Sequence, residues 1–273
     1  MNTTIAGVIL TKNEEICVAK ALASLQWCNE IIVLDSGSTD HTEKISRAFT
    51  NRFYQHIQKP PFLITEQRNW ALSNCDITSE WVLFLDADEE VSSDLQARII
   101  TQISSSAPFN AYELAPRYWF FGKWLKRTQG FPIWHPRLLK RREVHLEGGV
   151  WECFTSSAVT GRIEIPYEHY AFCKGLDDWL ERHQRYAKWD ANKIIEKGKM
   201  TPSKPNTKEY IRNLSYTLWA LRPPSRFLHK YLFNLGFLEG WRSLVFSLLM
   251  FFYELLVVIY VIQSKRLSKG LTL

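Results

Sequence analysis

Two acidic sites in this 273-residue chain have a type and spacing that could do chemistry. Asp86-Ala-Asp88 directly follows the apolar run 81–85, and Asp35 ends the apolar run 31–34. A divalent cation such as Mg²⁺ or Mn²⁺ is held by one or two carboxylates plus phosphate oxygens. A D-x-D at a strand end supplies that: the alternation aims one carboxylate at the metal and the other at a ribose or a water. Such a cation stabilises the charge that grows on a departing diphosphate. The competing reading of 86–90 is a helix N-terminal acidic cluster, since Asp88, Glu89 and Glu90 precede a helical pattern.

Positioning these groups falls to an alternation of strand and helix patterns across residues 1–100. Short β-branched apolar runs at 5–10, 31–34, 53–57 and 81–85 predict strands. Helical spacing predicts helices over 14–27, 43–49, 66–73 and 94–104, the second preceded by the good caps Ser38, Thr39 and Asp40. This order predicts an α/β fold with a mostly parallel sheet and helices on both faces. Ligands of such sheets bind beyond the carboxyl ends of the strands, where Asp35 and Asp86 both fall. Residues 111–165 read as mixed or antiparallel strands with long loops, 177–197 as a helix, 201–206 as a linker with prolines, and 227–241 as a helix rich in aromatic and basic residues.

The stretch 244–262 holds one charge, Glu254, and is flanked by Arg242, Lys265, Arg266 and Lys269. Its length reaches that of a membrane span. A carboxylate at its centre argues against a lone lipid-facing span, which leaves helices lying in the interface or an apolar helix docked on the domain as further readings. Charge divides the same way: residues 1–100 carry 8 Lys and Arg against 14 Asp and Glu, and residues 101–273 carry 26 against 14. A basic rear among long apolar runs predicts contact with anionic lipid or phosphate, and no nucleic-acid motif accompanies it. Five widely spaced cysteines without C-x-x-C predict reduced thiols in a cytosolic compartment, and the first residues show no signal-peptide pattern.

Four strings taken together are specific: Val8-Ile-Leu-Thr-Lys-Asn-Glu-Glu15, Ile32-Val-Leu-Asp-Ser-Gly-Ser-Thr-Asp40, Gln67-Arg-Asn69 and Trp81-Val-Leu-Phe-Leu-Asp-Ala-Asp-Glu89. In this order they resemble the family-2 glycosyltransferases, which have the GT-A fold. The nearest likeness is to the branch of lipopolysaccharide core β-glucosyltransferases. Pro136-Arg-Leu-Leu-Lys140 and Gly149-Val-Trp-Glu152 are similar to that branch's acceptor region. Gly236-Phe-Leu-Glu-Gly240 is similar to its C-terminal G-F-L-D-G, with Glu in place of Asp.

The resemblance implies an inverting, metal-dependent hexosyl transfer from a nucleotide-diphosphate sugar, with a UDP-sugar expected, to a lipid-linked or cell-envelope glycan. It implies a GT-A domain over 1–170 and a membrane-associating helical region over 171–273. The setting it implies is the cytoplasmic face of a bacterial inner membrane, with the chain peripheral, monotopic or crossing once. Thr11, Asn13 and Glu14 would line the nucleotide pocket, and Asp35 would meet the base. Arg68 would approach the diphosphate, with Gln67 and Asn69 orienting the loop. Asp86 would face the ribose and Asp88 the metal. Glu152 would be the base although the family's preceding His is Trp151 here, and Glu147 is its nearest rival. Arg137 reads either as a phosphate contact or as a surface pair, and His169 as a structural histidine more than a site residue. A nucleotidyltransferase would carry a glycine-rich loop where Thr11-Lys-Asn-Glu14 stands. An inactive membrane scaffold would have lost Asp86 or Asp88.

Overall fold

The structure, a computed structural model, describes residues 3–59, 62–105, 107–149, 152–197 and 217–272. The expected linker 201–206 and Trp151 lie outside them. The chain divides into two compact units, Met1–Trp119 with Phe131–Cys173, and Phe120–Gly130 with Lys174–Leu273.

In the first unit the central strand is β1 (Ile5–Thr11), buried along its whole length. It pairs in parallel with β2 (Glu30–Asp35) on one side and β4 (Trp81–Asp86) on the other, and β2 pairs in parallel with β3 (Phe53–Gln55). A strand covered on both faces must be apolar on both, which is why these runs are continuous rather than alternating. The helices between them are α1 (Val18–Ala23), α2 (Thr42–Arg47), α3 (Ile64–Asn74) and, after β4, α4 (Ser93–Ile103). Ile5, Ile9, Leu83 and Leu85 pack with Leu22, Leu95 and Ile99, on the face that α1 and α4 cover. Val8, Leu10, Val82 and Phe84 pack on the opposite face with Ala71 and Leu72 of α3. Each such buried Leu, Ile or Phe contributes roughly 1.5–3 kcal/mol.

Beyond β4 the sheet turns mixed. After the short β5 (Glu89–Glu90) come β6 (Ala111–Phe120), β7 (Lys123–Trp124), β8 (His135–Lys140), β9 (Leu146–Glu147), β10 (Cys153–Phe154) and β11 (Thr160–His169). The order is β3-β2-β1-β4-β8-β6-β11-β5, with β8 antiparallel to β4 and β6, and β11 parallel to β6. Pairing of β5 with the end of β11 sets Glu89 against His169. The fold is thus a mixed α/β sheet with a mostly parallel centre, as the strand and helix patterns predict.

One expectation is overturned. Cys17 and Cys173 form a disulfide across 156 residues, with Cα atoms 6.4 Å apart, so the five cysteines are not all reduced thiols. Spacing along the chain gives no hint of this, because the first unit closes on itself and brings the start of α1 beside the segment after β11. Cys28, Cys75 and Cys153 remain free, the first two with thiols that burial pushes up to about 12.

The second unit is helical. It holds α5 (Gly175–Lys197), α6 (Arg222–Leu228) and α7 (Trp241–Leu267). Ala187, Ala191 and Ile194 of α5 meet Tyr253, Val257 and Val261 of α7, two stripes at three- and four-residue spacing. Glu254 is 1% exposed; Arg222 and Arg226 of α6 each form an ion pair with it at 2.7 Å, and Arg226 Nε donates to it at 2.9 Å. The helix expected over 227–241 breaks into a π turn (His229–Phe233) and a 3-10 turn (Gly236–Glu239), with Leu235 at φ +56° between them. The break lets Glu239 accept from the backbone N–H of Arg127 (2.8 Å) and Thr128 (2.9 Å) and from the Thr128 hydroxyl (2.5 Å). The Gly-Phe-Leu-Glu-Gly string therefore fastens the 120–130 excursion.

Candidate active site

The parallel register brings three polar ends to one sheet edge, with Thr11 opposite Asp35 and Leu10 opposite Asp86. Asp35 is 1% exposed, and its carboxylate is occupied from within. Thr11 Oγ1 (2.9 Å) and Ser38 Oγ (2.5 Å) donate to one oxygen. The N–H groups of Gly37 (2.8 Å) and Ser38 (2.7 Å) and the Gln55 amide (3.3 Å) donate to the other. Gly37 adopts φ +87°, a conformation glycine takes at no steric cost, and that turns the chain back over Asp35. Burial raises the Asp35 pKa, but these donors outweigh it and hold the carboxyl below its usual range.

The loops after β1 and β2 are laced together. The Asn13 N–H donates to Ser38 Oγ (2.8 Å) and the Asn13 amide oxygen accepts from Thr39 N–H (2.8 Å). Glu14 N–H donates to Thr42 Oγ1 (2.7 Å). Asp40 accepts from Thr42 and from the Glu15 N–H (3.1 Å), so it joins the two loops just ahead of α2, whose N-cap is His41. Thr11, Asn13, Glu14 and Asp35 thus form one connected rim.

The triplet Gln67-Arg-Asn69 on α3 points inward, not to solvent: Gln67 is 0% and Arg68 1% exposed. Gln67 donates to Ser36 Oγ (3.1 Å) and the His56 carbonyl (3.0 Å), which ties β3 to the rim. Asn69 donates to the Leu146 carbonyl (2.7 Å) and accepts from its N–H (3.0 Å), as a neighbouring strand would. Arg68 bridges two carboxylates, donating from Nη1 to Glu152 at 2.8 Å and from Nη2 to Asp86 at 3.0 Å.

Arg137, from β8, is the second bridge and is buried rather than on the surface. Its Nη2 lies 2.6 Å from Glu89 and 3.4 Å from Asp86, and its Nη1 lies 3.9 Å from Glu152. Glu89 is fully buried and also accepts from the Asp86 N–H at 3.0 Å, which fixes the strand end. In the sequence Glu89 stands out only as one of three acids that could start a helix, not as a site residue. The signal was a carboxylate three residues past Asp86, in reach of that N–H, as in a capping box. The other side of the triplet belongs to His169: its Nε2 lies 3.5 Å from Asp88, and its Nδ1 makes no hydrogen bond. The D-x-D is therefore split, Asp86 facing two arginines and Asp88 facing a histidine.

The electrostatics follow. Burial pushes Asp86 upward, but Arg137 and Arg68 outweigh it and keep it ionised well below the usual range. Burial raises Glu152, and Arg68 and Arg137 only partly oppose it, so Glu152 holds a proton more tightly than an ordinary glutamate. Its second oxygen is buried without a hydrogen-bond partner. Burial lowers His169, yet Asp88 and Glu89 outweigh that and raise it. Glu147, by contrast, is exposed on β9. Among the described residues no group of three His, Cys, Asp or Glu could hold an ion by protein atoms alone. Asp88, with His169 beside it, fits an ion whose remaining ligands come from phosphate oxygens.

The model of glycosyl transferase family 2 matches residues 8–165. The lipopolysaccharide core biosynthesis glycosyltransferase LpsC of Rhizobium meliloti (strain 1021) is 24% identical over 262 residues, 90% of this chain and 89% of LpsC. The uncharacterized glycosyltransferase RT0209 of Rickettsia typhi (strain ATCC VR-144 / Wilmington) is 40% identical over 96 residues, 35% of this chain and 31% of its own length. Glucosyl-3-phosphoglycerate synthase from Mycobacterium tuberculosis, solved in complex with Mn²⁺ and UDP-glucose, aligns with a TM-score of 0.46 at 17% identity, covering 68% of this chain and 77% of that one.

Proposed function

From the premise that this chain belongs to glycosyl transferase family 2, we propose that it transfers a hexosyl group from a UDP-sugar to a lipid-linked envelope glycan, with inversion, at the cytoplasmic face of a bacterial inner membrane. The observation that supports this best is the Arg68 bridge. One buried guanidinium holds the D-x-D carboxylate Asp86 and the isolated Glu152 to the same centre.

In this reading the rim of Thr11, Asn13 and Glu14 receives the nucleoside. Asp35 acts there through the turn it holds, since its lone pairs are already engaged. A divalent cation, Mg²⁺ or Mn²⁺, would be held by Asp88 with His169 beside it, and when bound it neutralises the departing diphosphate. Asp86 faces the ribose side, its charge kept by Arg68 and Arg137. Glu152 takes the proton of the acceptor hydroxyl as the new C1–O bond forms, and the bond from C1 to the diphosphate oxygen breaks with its electron pair leaving on UDP. Its raised pKa suits that task, because a base works best with a pKa near the working pH. The acceptor class rests on the likeness to LpsC along nearly the whole chain. The membrane setting rests on α7, which is long and apolar enough to cross a bilayer, and on the basic second unit.

Binding of UDP-glucose, UDP-galactose, UDP-N-acetylglucosamine and GDP-mannose, each with and without Mn²⁺ or Mg²⁺, tests the reading. We expect metal-dependent binding of a UDP-sugar that is lost in Asp88→Ala. Unchanged metal-dependent turnover by that variant would sink the metal assignment.

A further inference from the structure

The second unit carries 20 Lys and Arg against 8 Asp and Glu, and the first carries 14 against 20. On this cationic unit, α7 leaves one stripe uncovered: Trp241 (56% exposed), Leu248, Phe252, Ile259 and Ile262. At about 100° per residue these five lie within roughly an 80° arc and run about 31 Å along the helix. The stripe holds no charge. Phe121, 65% exposed, extends it by packing 5.6 Å from Trp241. Cations close both ends, Arg242 against Trp241 at one and Lys265 and Arg266 at the other. The opposite side of α7 is buried, and Glu254 lies there, held by Arg222 and Arg226.

A crossing orientation conflicts with that buried side. It would set Glu254 and its two arginines near mid-bilayer. It would also draw in α5, which packs along α7 through Ala187, Ala191 and Ile194 and carries Arg182, Arg185, Lys188 and Lys193. Charges at that depth are costly. An axis parallel to the surface removes the conflict: the apolar stripe meets acyl chains, the terminal cations meet headgroups, and the buried ion pairs stay inside protein. We propose that the second unit docks in plane on an anionic phospholipid surface through this stripe, with α7 lying in the interface and not crossing it. The inference rests on the membrane setting proposed above and gives it a face and an orientation.

The test uses the full chain and vesicles of phosphatidylcholine with or without 30% phosphatidylglycerol. A fluorophore is placed by Leu248→Cys, Phe252→Cys or Ile259→Cys in a Cys28→Ser/Cys153→Ser background, which leaves only the buried Cys75 as a native free thiol, and its depth is read by quencher-labelled lipids. We expect binding that needs phosphatidylglycerol and three probes at one shallow depth. We also expect at least tenfold weaker vesicle binding for Leu248→Glu/Ile259→Glu, with UDP-sugar binding unchanged. A spread of depths approaching the ~16 Å that separates positions 248 and 259 along a helix would show a span. That overturns the in-plane orientation and leaves the membrane setting intact. Equal binding to both vesicle types overturns the anionic preference. No binding to either, or a concentration-dependent dimer that Leu248→Glu/Ile259→Glu dissociates, overturns the inference, and retained UDP-sugar binding would show that the transfer reading survives.

Discussion

Replacing Arg68 with lysine keeps the charge and removes the fork. The native side chain is 1% exposed and donates to Glu152 at 2.8 Å and to Asp86 at 3.0 Å. One ammonium cannot hold both carboxylates in that geometry, so at least one charge-assisted bond is lost. Asp86 is the more solvated partner, with its side chain 37% exposed against 10% for Glu152, so loss on the Glu152 side dominates. A buried bond of this kind is worth about 1.5–3 kcal/mol. For a chain of this size that is a melting shift of roughly 3–10 °C. If the contact persists in the transition state, kcat/KM falls about 10- to 150-fold. The sign of the pH effect is fixed as well. Arg68 lowers the Glu152 pKa against its burial, and Glu152 must be deprotonated to act, so weakening Arg68 moves the acid limb of the kcat/KM profile to higher pH. In a Glu152→Gln background the same replacement should cost much less. Thermal denaturation and pH–rate profiles of the four proteins decide it. An Arg68→Lys protein with a native melting point and an unmoved acid limb, or penalties that simply add, would refute the bridge.

Three further outcomes follow from particular contacts. Asn69→Ala leaves the buried N–H and carbonyl of Leu146 unpaired, at about 1–3 kcal/mol each, and should lower the melting temperature by about 4 °C or more while Asn69→Asp loses less. Reducing Cys17–Cys173 frees a closed loop of about 156 residues, for which chain entropy sets an upper loss of about 5 kcal/mol; an unchanged denaturant midpoint with and without dithiothreitol would contradict the pairing. Burial raises Glu30, but Ser79, Arg52 and Thr78 outweigh it and hold it at about 2. Its stabilisation is therefore present above its ordinary pKa and lost as pH falls toward 2, so Glu30→Gln should flatten that acid slope in urea titrations between pH 5 and 3.

What was legible in the sequence was what repeats locally. Continuous apolar runs marked β1, β2 and β4, and acidic residues directly after them marked the edge where Asp35 and Asp86 lie. What was not legible depends on residues far apart meeting. Arg137 looks like any arginine in a strand until β8 lays it against Glu89 and Asp86. His169 gains its neighbour Asp88 only because β11 ends beside β5. Glu254 reads as an anomaly in an apolar helix, since nothing near it in the chain announces that Arg222 and Arg226 fold back onto it. Asp35 shows the opposite limit: its position was legible, but not that Thr11, Gly37, Ser38 and Gln55 would engage its oxygens.

The covalent link between Cys17 and Cys173 joins chain that precedes residues 120–130 to chain that follows them, and Phe121 and Gly122 in that segment are exposed. A protease that nicks the backbone there would yield two pieces, the larger part of the parallel strands on one and Arg137, Glu152 and His169 on the other. They would still migrate as one species until thiol is added. A gene divided at that point, with its halves made as separate polypeptides and allowed to oxidise together, has in this sulfur bond a ready-made splint for rejoining them.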